Sequence, residues 1–405
     1  MAALVPFRAL RPTPASAGRV AAVPYDVVNA EEARALADGN PLSFLHVSRA
    51  EIDLPPATNP YADAVYAQAV ANFAKLKAAA PLVLEDAPRL YVYRLHMGSH
   101  VQTGVAAGFS IDEYDRDVIR KHERTRPDKE DDRTRHMLEL RAQTGPVFLT
   151  YKQSPDVNAV VEGSTAAPPL FAFTAPDAVE HTIWCVDPRD ERQLIAAFDA
   201  IPALYIADGH HRAASAARAR RQLRGSNGAS GEWDTFLAVA FPGDQMQVLP
   251  YNRVVKDLGG LTPDSFLAKL REQFTVTEGA ATPERRGEVS MFLGGRWYTI
   301  ELGEAPRGIG AADRLDVSRL QDALLAPVLG IGDVRTDKRI DFVGGARGPA
   351  ELEKLVNSSK FAVAFSMYPV SVDDLMTISD AGGIMPPKST WFEPKLRDGL
   401  LSHVI

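Results

Sequence analysis

The most constraining feature of this sequence is a short apolar run that passes through one glycine into an alanine-rich segment. Residues 204–207 are typical of a buried strand, and Asp208 and Gly209 follow as turn residues. From about residue 210 to residue 224 the composition favours a helix. A strand that turns directly into a helix is typical of a sheet covered by helices, so the sequence predicts an α/β or mixed α+β fold.

The chain length predicts more than one domain. Its 405 residues exceed what a single hydrophobic core normally organises. We divide the sequence into an N-terminal α/β region over residues 1–150, a core over residues 151–255 that holds the glycine turn, and a C-terminal α/β region over residues 256–405. The predicted strands and helices indicate a mixed sheet covered by helices.

Local patterns predict individual elements. Strands are expected over residues 90–97, 101–111 and 147–151, and a glycine hairpin is expected at residues 294–295. Residues 235–241 and 245–251 are interpreted as neighbouring strands. Asn59 followed by Pro60 is interpreted as an N-cap and the first helical residue.

Charge and hydrophobicity disfavour two classes of partner. Lys and Arg number 45 against 52 Asp and Glu, a formal net charge of -7, whereas coating a nucleic acid requires a dense basic excess. A small phosphate-containing ligand remains compatible, because a pocket can be basic inside an acidic protein. No run approaches the ~20 apolar residues of a spanning helix. We therefore expect a cytoplasmic protein without nucleic-acid or membrane partners, and leave a homo-oligomer open.

The first turn of the helix at residue 210 concentrates groups that bind anions. Backbone N–H groups there lack intrahelical acceptors and lie at the positive end of the helix dipole. A plain capped turn explains Asp208 and Gly209, but it does not explain two histidines and an arginine where cations are unfavourable. The predicted phosphate-binding residues are Gly209, His210, His211 and Arg212. An anion would repel Asp208, which is interpreted as an N-cap, a metal ligand or a base.

A second candidate is the charged segment over residues 112–136, in which 19 of 25 residues are Asp, Glu, Lys, Arg or His. Its ordinary interpretation is a solvated, salt-bridged helix and loop. The segment also contains every residue type that a phosphoryl-transfer site needs, namely cations, carboxylates for magnesium and a base. The candidates are Lys121, His122, Glu123, Arg124 and Thr125, with Arg133 as a candidate for substrate binding.

A third candidate lies near the end of the chain. Lys388, Ser389 and Thr390 follow two prolines, and proline-stiffened backbone beside such residues can present donors to an anion. The alternative is a strand that packs with Trp391 and Phe392.

Five ordered segments together resemble a bacterial and archaeal family of unknown function, DUF1015. The segments are residues 6–12, 24–28, 122–125, 207–212 and 385–390. Tyr25 and Asp26, in the second segment, are candidates for substrate binding. The resemblance covers nearly the whole chain, and the family name implies no activity.

The Asp208–Arg212 turn also resembles the phosphate-binding turn of the ParB/sulfiredoxin-like superfamily, over about residues 180–250. The branch of free-serine kinases is the most similar, because it has Asp-Gly-His-His-Arg at this position. The resemblance implies a ParB-like core in which Gly209, His210, His211 and Arg212 hold nucleotide phosphates. It makes Asp208 a candidate base or metal ligand.

The resulting hypothesis is a nucleotide-dependent phosphotransferase for a small molecule such as serine. Glu123, Asp208 and His210 are the predicted catalytic residues, and Lys121 and Arg124 would neutralise developing charge. Mg²⁺ and ATP, ADP or CTP are the expected cofactors. Two alternatives stay open: a phosphatase of a metabolite such as phosphoserine, and a nucleotide-sensing protein without turnover.

Overall fold

The computed structural model describes residues 3–79, 82–225 and 228–405. The chain forms two compact units, one of residues 1–246 and 394–405 and the other of residues 247–393. The chain therefore leaves the first unit once and returns to it at Pro394. Within the described ranges, no helix is both long enough and apolar enough to cross a membrane.

Strands and helices alternate along most of the chain. The strands are β1 Leu4–Val5, β2 Ala9–Pro12, β3 Leu82–Leu84, β4 Tyr91–Met97, β5 His100–Ser110, β6 Ile119–Arg120, β7 Ala142–Gln143, β8 Val147–Tyr151, β9 Phe171–Thr174, β10 Glu180–Cys185, β11 Leu204–Asp208, β12 Thr235–Pro242, β13 Val248–Leu249, β14 Tyr251–Val255, β15 Thr275–Glu278, β16 Glu288–Leu293, β17 Arg296–Glu301, β18 Ile340–Gly344, β19 Val363–Met367, β20 Trp391–Phe392 and β21 Ser402–Val404. The α-helices are α1 Ala17–Val20, α2 Ala30–Ala37, α3 Leu45–Ser48, α4 Asp63–Ala79, α5 Ile111–Asp115, α6 Pro127–Leu140, α7 Pro155–Thr165, α8 Pro188–Asp199, α9 His210–Arg224, α10 Pro263–Arg271, α11 Asp316–Leu320, α12 Gly348–Asn357 and α13 Val372–Asp380.

The first unit is built on a mixed sheet. Its strand order is β6-β11-β8-β12-β5-β4-β10-β9, with β1 paired to β5. The β6–β11 and β8–β12 pairs are parallel, and the other pairs are antiparallel. The predicted mixed α/β fold is therefore confirmed. Both the 1–150 and the 151–255 regions supply strands to this sheet, and the three-region division stays a prediction.

Helix α9 packs on this sheet through small side chains. Ala213, Ala216 and Ala217 are buried in the main core, together with sheet residues such as Leu149 and Ile206. Because alanine adds little bulk, the helix backbone approaches the sheet closely. The alanine-rich composition thus fixes the start of α9 against the end of β11.

A smaller sheet ties the chain's last residues to the first unit. Its order is β3-β2-β21-β7, and His403 in β21 is opposite Ala9 in β2. Asp398 and Ala22 also exchange backbone hydrogen bonds of 2.9 and 3.2 Å. These contacts place residues 394–405 among elements of the first unit that are far away in sequence.

The second unit contains an antiparallel sheet in the order β15-β17-β16-β19-β14-β18. The predicted hairpin is present between β16 and β17, where Gly294 and Gly295 have φ of 57° and 82°. Two consecutive positive φ angles match the turn that the right-handed strand twist favours. A core of Val254, Phe292 and Leu352 packs against this sheet.

Two sequence predictions were wrong. Residues 245–251 do not form one strand, because Pro250 lacks a ladder N–H and separates β13 from β14. β12 pairs instead with β5 and β8. The helix expected at Pro60 begins at Asp63, and Asn59 accepts from the N–H of Tyr61 in a preceding turn.

Candidate functional site

The turn between β11 and α9 needs glycine at position 209. Gly209 has φ 94° and is the N-cap of α9. A Cβ at this position would lie 3.1 Å from the guanidinium carbon of Arg212. Of the three roles considered for Asp208, the N-cap is therefore wrong, because the chain turns one residue later. Ala213 donates the first helical bond, to Gly209, so three N–H groups ahead of it lack an intrahelical acceptor.

Parallel pairing brings the charged segment to this turn. Ile119 and Arg120 of β6 are opposite Leu204 and Tyr205 of β11. The carboxyl ends of parallel neighbours meet at one sheet edge, so the residues that follow β6 lie beside the start of α9. The backbone N–H of His122 donates to His210 Nε2 at 3.4 Å.

A second backbone contact fixes the same segment further along. The N–H of Arg126 donates to His211 Nε2 at 3.1 Å. Burial lowers the pKa of His211, despite the opposing charge of Asp26. Each of the two histidines thus anchors one backbone N–H of the segment through a neutral ring nitrogen.

The rings of His122 and His210 form a buried pair with centroids 4.4 Å apart and planes at 86°. Burial lowers the pKa of His122 to about 4 and that of His210 well below its ordinary value. Because His210 Nε2 accepts a hydrogen bond, we assign its proton to Nδ1. That nitrogen lies 3.8 Å from Oε2 of Glu123, whose side chain is 49% exposed. Glu123 thus faces both solvent and the neutral imidazole.

Arg212 is a buried cation with unused donors. It is 7% exposed, and its Nη1 donates to the carbonyl of Pro146. Its Nε and Nη2 are buried and have no hydrogen-bond partner among the described residues. Nη2 lies 3.9 Å from Asp26 and 3.8 Å from Asp208, beyond hydrogen-bond range. Burial opposes the charge, but Asp26 and Asp208 outweigh it and raise the pKa of Arg212.

Asp208 is held as a carboxylate by a residue that the sequence predictions missed. Nζ of Lys395 donates to its Oδ2 at 2.9 Å. Burial would raise the pKa of Asp208, but Lys395 and then Arg212 outweigh burial and hold it well below its usual range. Lys395 follows Asp208 by 187 residues, and no local spacing in the sequence points to this pair.

Tyr25, Asp26 and Arg133 lie beside this cluster. The guanidinium carbon of Arg133 is 4.2 Å from the ring centroid of Tyr25, and its Nε donates to Asp132 at 2.8 Å. Burial raises the pKa of Tyr25 above its ordinary range. Tyr25 and Arg133 line the same pocket as Arg212, and Asp26 lies 3.9 Å from its Nη2.

Two candidates of the charged segment are engaged by neighbours. Lys121 pairs with Asp117 and lies 4.3 Å from the ring centroid of Tyr114. The hydroxyl of Thr125 donates to Glu130. Their phosphate-binding roles stay predictions. Arg124 is exposed.

The proline-rich tail lies in the second unit. Ser389 donates its hydroxyl to the carbonyl of Pro386, and the carbonyl of Lys388 accepts from Arg253 at 3.1 Å. The β20 strand that follows pairs with β13. The alternative interpretation of a strand is therefore present, and binding of phosphate by Lys388, Ser389 and Thr390 stays a prediction.

Metal ligands are sparse. Among the described residues, no group of three or more His, Cys, Asp or Glu side chains converges as a metal site. Mg²⁺ bound to a nucleotide needs only one or two carboxylates, because phosphates and water supply its other ligands. Asp26 and Asp208, both within 4 Å of Arg212 Nη2, match that smaller requirement.

Comparison with known families assigns the chain. The model of a protein of unknown function, DUF1015, matches residues 4–318, which is most of the sequence. The chain belongs to this family. The match confirms the family recognised from the sequence segments and includes the site residues from Tyr25 to Arg212. The ParB-like character of the DUF1015 core stays a prediction.

Several solved structures are similar to this DUF1015 protein at low identity. A free serine kinase variant in complex with ADP is 14% identical with a TM-score of 0.35, covering 73% of this chain and 92% of that chain. A conserved hypothetical protein from Pyrococcus furiosus is 15% identical with a TM-score of 0.35, covering 74% and 95%. C-terminally truncated SbnI from Staphylococcus aureus is 11% identical with a TM-score of 0.38, covering 74% and 87%. These TM-scores establish no shared activity, and comparison with curated proteins gives no match.

Proposed function

We propose that this DUF1015 protein is a nucleotide-dependent phosphotransferase that acts on a small hydroxyl-bearing metabolite. One observation carries the proposal: Arg212 is buried at the start of α9 with two guanidinium nitrogens unpaired among the described residues. Buried donors without acceptors destabilise a protein. Phosphate oxygens would satisfy both nitrogens, since arginine binds phosphate in a bidentate way.

The nucleotide phosphates would occupy the first turn of α9. The backbone N–H groups ahead of Ala213 and the helix dipole favour an anion at the same point as the Arg212 guanidinium. Lys395 already neutralises Asp208, so the repulsion between that carboxylate and a phosphate is reduced. A Mg²⁺ held by Asp26 or Asp208 would neutralise developing charge on the phosphates.

Glu123 suits the role of base better than Asp208. Asp208 is ion-paired with Lys395, and its low pKa makes it a poor proton acceptor. Glu123 is half exposed, so an acceptor molecule can reach its carboxylate. The neutral His210 beside it would orient that carboxylate through Nδ1, which makes His210 a positioning residue.

The proposed step balances as a simple displacement. The acceptor hydroxyl oxygen forms a bond to the terminal phosphorus while the bond from that phosphorus to the nucleotide breaks. The hydroxyl proton passes to Glu123, and the shortened nucleotide leaves with the displaced oxygen. The exposed Arg124, next to Glu123, would offset charge on the transferred group.

Phosphorus NMR tests the proposal directly. Purified protein with Mg²⁺ would receive ATP, ADP or CTP, each with and without serine, and phosphoserine would be supplied alone. We expect a new phosphoester signal that depends on both nucleotide and acceptor. Glu123→Gln should slow its formation by roughly 10²–10⁴-fold, the usual contribution of a general base. Glu139→Gln, an exposed carboxylate on α6, is the matched control.

The other outcomes identify other functions. Inorganic phosphate released from phosphoserine without nucleotide would replace the transferase with a phosphatase. Tight nucleotide binding without formation of any new phosphorus compound would indicate a sensor. A phosphoester that forms equally fast in Glu123→Gln would refute the assignment of the base.

A further inference from the structure

A polar pocket lies beside Arg212 in the first unit, and one of its walls is a buried acid. Its polar lining includes Tyr25, Ser48, Arg133, His136, Arg212 and Asp398. Asp398 is 3% exposed, and its backbone is fixed by two hydrogen bonds with Ala22. Among the described residues, its carboxyl group has neither a hydrogen-bond partner nor an ion-pair partner. The backbone bonds account for the position of the residue, but they do not account for a buried carboxyl group without a partner.

The pocket is lined by a cation, Arg212, and an acid, Asp398, that do not pair with each other. Nε and Nη2 of Arg212 lack acceptors, and the Asp398 carboxyl lacks a donor, yet Arg212 forms ion pairs only with Asp26 and Asp208 among the described residues. Opposite charges that share a buried space are normally paired. The separation indicates that a third group belongs between them.

The other cations of the pocket are already engaged. Arg133 bonds to Asp132 and to the carbonyl of Ser48. His136 donates to or accepts from the carbonyl of Val47 at 2.9 Å, and burial lowers its pKa to about 4, so its ring is neutral. These cations act on Asp398 only through space, and a ligand cation would be the direct partner that the described residues do not supply.

The backbone around the pocket leaves room for this acid. A Cβ on Gly145 would lie 2.6 Å from Oδ1 of Asp398. Any side chain at position 145 would displace the carboxyl group. Glycine at position 145 thus leaves the space that the Asp398 carboxyl group occupies.

We infer that Asp398 binds the ammonium group of an acceptor that carries both an amine and a hydroxyl group, such as an α-amino acid or an amino alcohol. The inference rests on the proposed function for the role of that ligand as acceptor, and it stands on the pocket alone for the ammonium. Asp398 is the residue that would distinguish amines from otherwise identical hydroxy compounds.

Ionisation of Asp398 gives the inference a second readout. Burial raises the pKa of Asp398 to about 7; Arg212, Arg133 and Arg397 oppose this rise and Asp26 adds to it. An ammonium group pairs with the ionised carboxylate. Protonated Asp398 has no negative charge to compensate the positive charge of the ammonium group. Affinity for an amine should therefore rise between pH 6 and pH 8, about one unit on each side of that pKa.

Calorimetric titration without nucleotide tests the inference. Serine, ethanolamine and glycerate, which has no amine, would be titrated into the wild type and into Asp398→Asn and Asp86→Asn at pH 8. We expect both amines to bind the wild type and the exposed-site control Asp86→Asn, and to bind Asp398→Asn at least tenfold more weakly. Glycerate should bind Asp398→Asn no more weakly than it binds the wild type.

Three results would overturn the inference: amine binding that Asp398→Asn leaves unchanged, glycerate binding to the wild type as tightly as serine, or no amine binding at millimolar concentration. A thermal melt at pH 8 checks folding, and the melting temperature of Asp398→Asn should not fall, because the substitution removes a buried unpaired charge. If the variant does not fold, the pH dependence of serine affinity in the wild type decides. Amine binding without any phosphoester would refute the transferase and leave this inference intact.

Discussion

Two buried arginines on α9 show how a ligand site differs from a structural ion-pair cluster. Arg220, in the second half of the helix, is 5% exposed and contacts Asp112, Asp115 and Asp234. Its Nε donates to Asp234 at 2.9 Å. Arg212, in the first turn, is 7% exposed, yet no carboxylate of the residues that the structure describes lies closer to it than 3.8 Å.

Burial alone does not distinguish a ligand-binding arginine from a structural one. Both guanidinium groups have lost water, and a buried charge must be compensated by hydrogen bonds and opposite charge. The protein itself compensates Arg220, whereas it leaves two nitrogens of Arg212 without partners among the described residues. An anion that accepted hydrogen bonds from these two nitrogens would supply the compensation that the described residues do not.

The largest expected effect of this difference is on catalysis. Arg212→Ala should lower kcat/KM for phosphoryl transfer by about 100-fold or more, because two charge-assisted hydrogen bonds to phosphate are lost. Arg220→Ala should leave the rate of the folded fraction within about twofold, since Arg220 has no place in the transfer step. Steady-state rates of both variants would measure kcat/KM. Equal losses of kcat/KM would contradict the distinction between a ligand-binding and a structural arginine.

The same two variants should differ in the opposite direction in stability. Arg220→Ala should lower the free energy of unfolding by about 2 kcal/mol, because three carboxylates lose their common partner. Arg212→Ala should change it by less than about 1 kcal/mol, since a poorly compensated charge is removed. Urea denaturation of each variant measures both values. A larger loss for Arg212→Ala would make that residue structural.

Gly209→Ala sharpens the account of the turn. The substitution should lower the free energy of unfolding by about 1–2 kcal/mol, because φ is 94° and the new Cβ would crowd Arg212. Gly260→Ala is the matched control, with φ 84° and no atom within 4 Å of its Cβ. Only Gly209→Ala should also weaken nucleotide binding. Equal effects of both variants on nucleotide binding would contradict the crowding of Arg212.

The smallest effect is a pH dependence at the start of α9. The pKa values of His122 and His210 are lowered on folding, so the unfolded chain binds more protons below about pH 6.5. Stability is fully present above that pH and decreases as the pH falls towards 4. His122 should contribute a loss of roughly 1 kcal/mol between pH 6.5 and 5.5.

His122→Gln tests this dependence. The variant should flatten the pH profile of the unfolding free energy, measured by denaturation at each pH. A substitution in the Arg220 cluster should leave the profile between pH 5.5 and 6.5 unchanged. Arg220 holds the pKa of Asp112 below its ordinary value, outside this pH range. An unchanged slope in His122→Gln would show that His122 does not carry the effect.

Local sequence pattern accounts for the turn but not for its surroundings. Strand β11, the glycine and α9 follow from apolar, flexible and alanine-rich residues in succession, so they were predictable. The placement of Glu123 depends on the parallel pairing of β6 with β11, which joins segments about 85 residues apart. The positions of Lys395 and Asp398 near Asp208 and Arg212 depend on the return of the chain to the first unit, which no local pattern encodes.

The most direct test of the central claim is to observe the first turn of α9 while a nucleotide binds. Backbone amide NMR signals of deuterated protein would be followed during titration with ADP, AMP and inorganic phosphate. We predict that the signals of Gly209, His210, His211 and Arg212 shift most, while those around Arg220 on the same helix stay in place. Saturable ADP binding that leaves the signals of residues 209–212 unmoved would contradict the account.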